Sequence, residues 1–340
     1  MNRLVLPLLF LAMACSLASA SGRGEARRKS IVMVVPAGET SVADSTRAGI
    51  AAFATEHPEV TATVTTTPAG DPDAQVKAVR DLVASGVGAL LVAPVDPPSL
   101  LAAFRSAKEA GVIVLTTGDP RQTQASCDVE AFDDTEYGRH TMDVMATWMG
   151  YSGSWQPFIS QRDSPAEHRW VDGELTEARA AYPGVTAVDR AEVPGDEQAV
   201  HDSVVQLLAS HPELKAIMGS SAAVVRGAAR AVTEAGRIGT VGVFGNCVPS
   251  AAADYIRSGA VIAVTFSVPA DLAYVTARAA DEQLGGRPVS SGQDLGRPGY
   301  NRVRVRPNES GVPVIYGTAW MTVNRDNLKD WVAADGSFKL

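Results

Sequence analysis

The side chains best suited to bind a small polar molecule come directly after two runs of apolar residues. Leu90–Val92 and Val112–Leu115 are uninterrupted apolar runs, which is typical of parallel strands buried on both faces. The polar stretches Val95-Asp96 and Thr117-Gly118-Asp119 follow these runs, and open parallel sheets bind ligands beyond the carboxyl ends of their strands. A carboxylate can only accept hydrogen bonds, so Asp119 is the first candidate to bind a donor group.

The sequence lacks motifs for catalysis. It has no P-loop, GxSxG or HExxH motif, and Gly86-Val87-Gly88 precedes a strand, whereas a dinucleotide-binding loop follows one. The five histidines show no pair at metal-ligand spacing; they are His57, His140, His168, His201 and His211. A formal charge of −8 and a single basic cluster, Arg27-Arg28-Lys29, argue against nucleic acid. These features predict a binding protein with no enzyme activity, cofactor, metal or nucleic-acid partner.

The candidate residues need a repeating framework of strands and helices to position them. Between the two apolar runs, Ser99 is a suitable N-cap, and Leu100 and Phe104 mark the buried face of a helix. Residues 31–119 contain four strands and three helices in strict alternation, and a similar series runs from 134 to 264. The predicted fold class is therefore α/β, with two doubly wound parallel-sheet lobes.

The tail indicates how the two lobes are joined. A further helix at 269–284 and an edge strand at 301–305 follow the second series, so the chain is expected to cross back. At 340 residues the chain is long enough for two cores. We predict a hinge of several strands between an N-terminal lobe and a C-terminal lobe, with the boundaries 31–128 plus about 266–298, and 129–265 plus about 299–335.

The first twenty residues resemble an export signal. A basic start precedes the apolar centre Leu4–Met13, which is too short to span a membrane, and Ala18-Ser19-Ala20 is a suitable cleavage site. A second interpretation is a lipoprotein signal in which Cys15 is lipidated, and both remain open. In either case residues 21–30 form a polar linker, and the folded part is predicted to be periplasmic or otherwise extracytoplasmic.

Two cysteines remain in the predicted folded part. Cys127 and Cys247 lie in different halves of the chain, in a compartment that permits disulfides. A bridge between them and two separate buried thiols both remain open. Their spacing excludes a CxxC redox or zinc motif.

Several stretches of the chain match the pattern of one known family. The order of elements resembles the type I periplasmic sugar-binding proteins of ABC transporters, over almost all of the predicted mature chain. The stretches that carry the resemblance are Leu90–Asp96, Gly111–Val114, Arg169–Gly173, Gly227-Ala228 and Val241–Val243. Residues 127–149 and 314–332 are most similar to the branch that includes the autoinducer-2 and rhamnose receptors.

The resemblance implies a ligand site between the lobes, although many of the family's pocket residues are replaced. The first loop has no stacking aromatics and offers Glu39, Thr40 and Asp44 as polar side chains. Ala37 and Ala166-Glu167 stand where autoinducer-2 receptors have their ligand contacts, which argues against that ligand. The predicted site consists of the residues at the matching positions: Glu39, Asp44, Asp119, His168, Arg169, Trp170, Ser221, Asn246, Phe266 and Ser267.

A sugar requires hydrogen-bond donors, acceptors and an apolar face for its C–H groups. Asp119 can accept, Arg169 can donate, and Ser221, Asn246 and Ser267 can do both. Trp170 and Phe266 could supply the apolar face. For some of these residues a structural role is the alternative: Arg169 could pair on the lobe surface, and Trp170 and Phe266 could belong to a core.

The family implies a function for the whole chain. A monomer would capture a sugar-like ligand by closing its hinge and deliver it to an ABC permease. The alternative is that the closed form docks on a chemoreceptor or a sensor kinase, which would make the chain a signalling receptor.

Overall fold

The structure is a computed structural model of the 340-residue chain, and it describes residues 30–37, 40–160, 162 and 164–339. The predicted export signal with Cys15, nearly all of the linker and the candidate ligand residue Glu39 lie outside the described residues. For these segments the sequence predictions stay predictions.

Strands and helices alternate along most of the chain. The elements of the first half are β1 (Ser30–Pro36), α1 (Thr40–Glu56), β2 (Thr61–Thr67), α2 (Pro72–Ser85), β3 (Ala89–Val92), α3 (Pro97–Glu109), β4 (Ile113–Thr117), β5 (Cys127–Glu130), α4 (Asp134–Met149) and β6 (Gly153–Ile159). Those of the second half are α5 (Pro165–Ala181), β7 (Val185–Ala187), β8 (Ala191–Glu192), α6 (Glu197–Ser210), β9 (Leu214–Gly219), α7 (Ala222–Glu234), β10 (Gly242–Asn246), α8 (Ala253–Ser258), β11 (Val261–Phe266), α9 (Pro269–Leu284), β12 (Arg304–Pro307), β13 (Pro313–Tyr316), β14 (Met321–Asn324) and α10 (Leu328–Trp331).

The elements form two sheets with the same internal order. In the first sheet the order is β12-β13-β5-β4-β3-β1-β2, in which β12 is antiparallel to β13 and the other neighbours are parallel. In the second sheet it is β14-β11-β10-β9-β6-β7, with β14 antiparallel to β11 and β8 paired with β6. Each lobe is therefore a doubly wound parallel sheet, and its ligand site is expected at the carboxyl ends of its strands.

Three crossings of the backbone join the lobes. The chain passes between the sheets from β5 to α4, from β11 to α9 and from β13 to β14. The sequence predicts that the tail enters the C-terminal lobe at about residue 299, but the sheet pairing places this boundary later in the chain. Because β12 and β13 hydrogen-bond to each other and β13 pairs with β5, the tail belongs to the first lobe as far as Tyr316 and enters the second lobe at Met321.

The strand β3 is buried because apolar side chains pack against both faces of the first sheet. Leu90 packs on one face of the first sheet with Leu100 and Phe104 of α3, whereas Leu91 packs on the other face with residues of α1 and α9. The helix α3 begins at Pro97, earlier than predicted, because Asp96 caps it by accepting a hydrogen bond from the backbone N–H of Ser99 at 3.1 Å. The Asp96 side chain therefore has a structural role as the cap of this helix.

The two cysteines belong to separate cores. Cys127 is buried in the core of the first lobe and Cys247 in that of the second, and no disulfide links them. Burial raises the pKa of the Cys127 thiol to about 12, so this thiol is un-ionised at neutral pH.

Candidate ligand-binding site

A cleft of about 700 Å³ lies between the two lobes. The first lobe contributes the start of α3 and the loop after β4, and the second lobe contributes the start of α5. The crossings after β5 and β11 form the remaining wall. The polar and aromatic side chains that line the cleft are Asp119, Arg121, Gln122, Thr123, Glu130, Phe132, Asp134, Ser164, Arg169, Trp170 and Ser267.

Asp119 occupies the predicted position at the end of β4. Its side chain is 8% exposed, and Gln122 donates a hydrogen bond from Nε2 to Oδ2 at 3.0 Å. Burial raises the pKa of the Asp119 carboxyl, while the hydrogen bond from Gln122 and the nearby Arg121 oppose that shift. A carboxylate has about four acceptor positions, so Asp119 can still accept hydrogen bonds from a molecule in the cleft.

The loop that carries Asp119 is held by a residue from the distant tail. Asn308 donates from Nδ2 to the backbone oxygens of Pro120 and Gln122 at 3.1 and 2.8 Å. Its Oδ1 accepts hydrogen bonds from the backbone N–H groups of Ser310 and Val312 at 2.9 and 3.0 Å. Asn308 therefore positions the loop without lining the cleft.

We expect Asn308→Asp to destabilise this loop by about 1–3 kcal/mol, since a carboxylate keeps the Oδ1 acceptor but cannot donate to the two carbonyl oxygens. Urea unfolding of the purified protein measures the loss. Asn301→Asp, at an exposed position of the same tail, is the matched control and should change stability by less than about 0.5 kcal/mol. Equal stability of the two variants would contradict the positioning role.

The second-lobe wall of the cleft is organised by Asp134. Arg169 donates to Asp134 Oδ2 from Nη2 at 2.6 Å and from Nε at 2.9 Å, and Trp170 donates from Nε1 to Oδ1 at 2.7 Å. The Trp170 ring also packs on Tyr137, and Tyr137 stacks on Phe132 at 4.3 Å between ring centroids. Arg169 and Trp170 thus line the cleft, and Asp134 already engages Nε and Nη2 of Arg169 and Nε1 of Trp170.

Two predicted site residues lie on the lobe surfaces, away from the cleft lining. Asp44 is half exposed and pairs with Arg47 at 2.6 Å on α1. His168 points toward a loop, where its Nε2 hydrogen-bonds the carbonyl oxygen of Arg162 at 2.7 Å and its Nδ1 lies 3.3 Å from Arg190 Nη1. Successive residues of a helix point in different directions, so His168 faces away while Arg169 and Trp170 face the cleft.

Three further predicted residues lie in the second lobe behind the cleft wall. Ser221 caps α7, and Asn246 donates to the hydroxyl oxygen of Tyr137 at 2.8 Å. Asn246 lines a small cavity of about 10 Å³ beside Trp170, which is about the space of one water molecule. Phe266 is 3% exposed and packs edge-on against Trp331 in the core, whereas the next residue, Ser267, lines the cleft.

Sequence reasoning missed several residues of the cleft. Gln122, Glu130 and Phe132 were not proposed, yet all three line it. Phe132 follows β5 at the first crossing, and it provides the aromatic face that Phe266 does not. The signal that could have located it is its position at the carboxyl end of the strand predicted near Asp128–Phe132.

Two sheets with a common strand order, three crossings and a polar cleft define a two-lobed α/β binding protein. A profile of the periplasmic binding protein domain matches residues 31–288, and the chain belongs to this family. The resemblance and the fold class predicted from the sequence are thereby confirmed. The family consists of solute-binding proteins and indicates an extracytoplasmic location. Among the described residues, no helix is both long enough and apolar enough to cross a membrane.

The relatives and the solved structure that resemble this chain are all named for binding a sugar or a polyol. The chain is 26% identical over 199 residues to the D-ribose/D-allose-binding protein of Pseudomonas aeruginosa, covering 57% of this chain and 62% of the relative. It is 28% identical over 179 residues to the xylitol-binding protein of Mycolicibacterium smegmatis, covering 52% of this chain and 51% of that relative. These matches thus span less than two thirds of each relative. The solved structure of an arabinose-binding protein from Geobacillus stearothermophilus shares the fold, with a TM-score of 0.76 and 17% identity. The match covers 90% of this chain and 99% of that chain.

Proposed function

We propose that this protein is an extracytoplasmic solute-binding protein that captures a monosaccharide or sugar-like molecule and delivers it to an ABC transporter. The observation that carries the proposal is the cleft of about 700 Å³, which is lined from both lobes at the carboxyl ends of their strands. Relatives named for ribose, allose and xylitol binding support the ligand class. The cleft volume suits one small ligand.

Hinge closure is the proposed mechanism. Asp119 and Gln122 belong to the first lobe, and Arg169 and Trp170 to the second, so a ligand can contact both groups at once only when the lobes are close. A ligand that makes more contacts in the closed form shifts the protein toward that form by the difference in affinity. The closed shape would then be recognised by a membrane partner, and the ligand would leave chemically unchanged.

A ligand screen tests this function. Purified protein would be heated with ribose, allose, xylitol, arabinose and rhamnose, and a ligand present at about 100 times its Kd should raise Tm by roughly 5 °C. Small-angle X-ray scattering should show a smaller radius of gyration with that ligand, and chromatography should recover it unaltered. Failure of every sugar and polyol to bind would overturn the proposal, and binding without compaction would overturn hinge closure.

The membrane partner requires a separate experiment. A strain that lacks the gene should lose uptake of the identified sugar if the partner is an ABC permease. Normal uptake with a lost chemotactic or transcriptional response would instead identify a signalling receptor. Size-exclusion chromatography with light scattering would test the predicted monomer.

A further inference from the structure

A second cavity adjoins the cleft at the side next to the hinge. It has a volume of about 380 Å³, and we call it the side pocket. Its other walls come from the turn between β12 and β13, the end of β13 and the start of α4, so both lobes contribute to it. Four residues line both the cleft and the side pocket, and the two spaces therefore meet there: Pro120, Arg121, Asp134 and Arg169.

The side pocket lies beside two of the three hinge crossings. Asp133 and Asp134 stand where the first crossing enters α4, and Tyr316 is the last residue of β13 before the third crossing. Rotating lobes move least close to their hinge, so the side pocket should keep its shape when the cleft closes. Its volume falls within the range of small-molecule sites, roughly 300–1,000 Å³. The side pocket can therefore hold a part of the ligand that extends beyond the cleft.

The side pocket offers an aromatic ring and hydrogen-bonding groups that the fold does not use. Tyr316 is partly exposed there, and within residues 40–160, 162 and 164–339 its hydroxyl has no hydrogen-bond partner. Burial raises the pKa of Tyr316 to about 12, and neighbouring carboxylates add to the shift, so the hydroxyl stays protonated and can donate. Arg121 is exposed, and within the same residues its side chain forms neither a hydrogen bond nor a salt bridge. An aromatic ring beside free donors is a suitable surface for a sugar.

The charges around the side pocket favour a neutral group. Arg169 neutralises Asp134 at 2.6 Å, and Asp133 lies 3.7 Å from an arginine of β12. Arg121 and Glu309, the remaining charged residues of the lining, are both exposed and carry opposite charges. A charged group in the side pocket would therefore gain little net attraction, whereas neutral hydroxyls can bond to donors and acceptors alike.

We propose that the natural ligand is a disaccharide, with one sugar ring in the cleft beside Asp119 and the second ring in the side pocket against Tyr316. This inference rests on the proposed function, which it narrows from a sugar-like molecule to one class of sugar. The second ring would pack its C–H face on Tyr316 and accept hydrogen bonds from Arg121. A monosaccharide in the cleft would make neither contact.

Matched sugars test the inference on the unaltered protein. Isothermal titration calorimetry would compare cellobiose and maltose with D-glucose, lactose and melibiose with D-galactose and D-glucose, and xylobiose with D-xylose. We expect at least one disaccharide to bind at least about 10-fold more tightly than each of its own monosaccharides. If a monosaccharide or polyol binds and no disaccharide reaches that preference, the inference is overturned while the proposed function stands. If no sugar or polyol of any kind binds, both are overturned.

Variants of Tyr316 locate the second ring. Tyr316→Ala should weaken binding of the preferred disaccharide by roughly 10-fold, with less than about a 3-fold change for the monosaccharide, because only the second ring contacts this side chain. Tyr316→Phe keeps the aromatic ring and should retain most of the preference. Tyr151→Ala removes a tyrosine that is 56% exposed and lies away from both cavities, and it should leave both affinities unchanged.

A variant at an exposed position covers the case in which Tyr316→Ala does not fold. Ser310 lies on the exposed turn between β12 and β13 and lines the side pocket but not the cleft. Ser310→Trp would fill the side pocket, and it should abolish the preference for the disaccharide while the monosaccharide still binds. An undiminished preference in either folded variant would overturn the assigned position of the second ring.

Discussion

Replacing Asp119 by alanine should weaken binding of the best sugar or polyol from the screen by roughly 10- to 100-fold, or about 1.5–3 kcal/mol. The carboxyl is 8% exposed, lies at the carboxyl end of β4 and is held in place by Gln122. A hydrogen bond from a ligand to such a charged, shielded acceptor contributes more than one to an exposed acceptor. Titration calorimetry of the two proteins at equal ionic strength measures the change.

The control for this prediction is Asp44→Ala. Both aspartates were candidates from the sequence, but Asp44 is half exposed and pairs with Arg47 outside the cleft lining. Its removal should leave affinity unchanged within a factor of about 2. Equal weakening by the two substitutions, or no weakening by Asp119→Ala, would show that the ligand does not bind where we place it.

Patterns within short segments predicted the fold because they reflect local burial. The apolar run Leu90–Val92 was predicted as a buried strand, and the structure places β3 there with every residue buried. The glycines within the family-like stretches also have a physical reason. A Cβ on Gly173 would clash with the backbone oxygen of Thr135 on α4, and one on Gly227 would clash with that of Glu197 on α6. The glycines in these stretches therefore allow close helix packing, which is common to the fold, and they carry little information about the ligand.

The cleft was harder to predict because its composition depends on side-chain direction and on distant contacts. Residues alternate between faces along a strand, so Phe266 points into the core while Ser267 lines the cleft, and the sequence does not distinguish them. Asn308 acts on a loop more than 180 residues earlier in the chain, through bonds that no local pattern indicates.

The stability of the second lobe should depend on pH through Glu174. This carboxyl is completely buried on α5, accepts one hydrogen bond from Thr141 Oγ1 at 3.1 Å, and leaves its other oxygen without a partner. Burial raises its pKa from 4.5 to about 8, although Thr141 and the charge of Arg190 act in the opposite direction. At pH 7 the folded protein therefore holds a proton that the unfolded chain has released.

The sign of the effect follows from this difference in proton binding. Below about pH 4.5 the carboxyl is protonated in both the folded and the unfolded state, so its raised pKa does not lower the free energy of unfolding. Above that pH only the unfolded chain releases the proton, and the free energy of unfolding falls as pH rises to about 8. For a shift of this size the loss is roughly 4 kcal/mol. Glu174→Gln has no titrating group, so it should remove the part of the slope that Glu174 contributes and be more stable than the unaltered protein at pH 8.

Urea unfolding at pH 5, 6.5 and 8 measures the slope for both proteins. Glu177→Gln is the matched control on the same helix, because Glu177 is partly exposed and lies 3.8 Å from Arg139. It should retain the slope of the unaltered protein, since an ion pair of this kind contributes little. Burial also raises the pKa values of Asp128 and Glu130, so this pair adds a slope of the same sign in all three proteins. A Glu174→Gln variant as pH-dependent as the control would mean that the carboxyl is hydrated, and hence that the second-lobe cavity beside Trp170 opens to water.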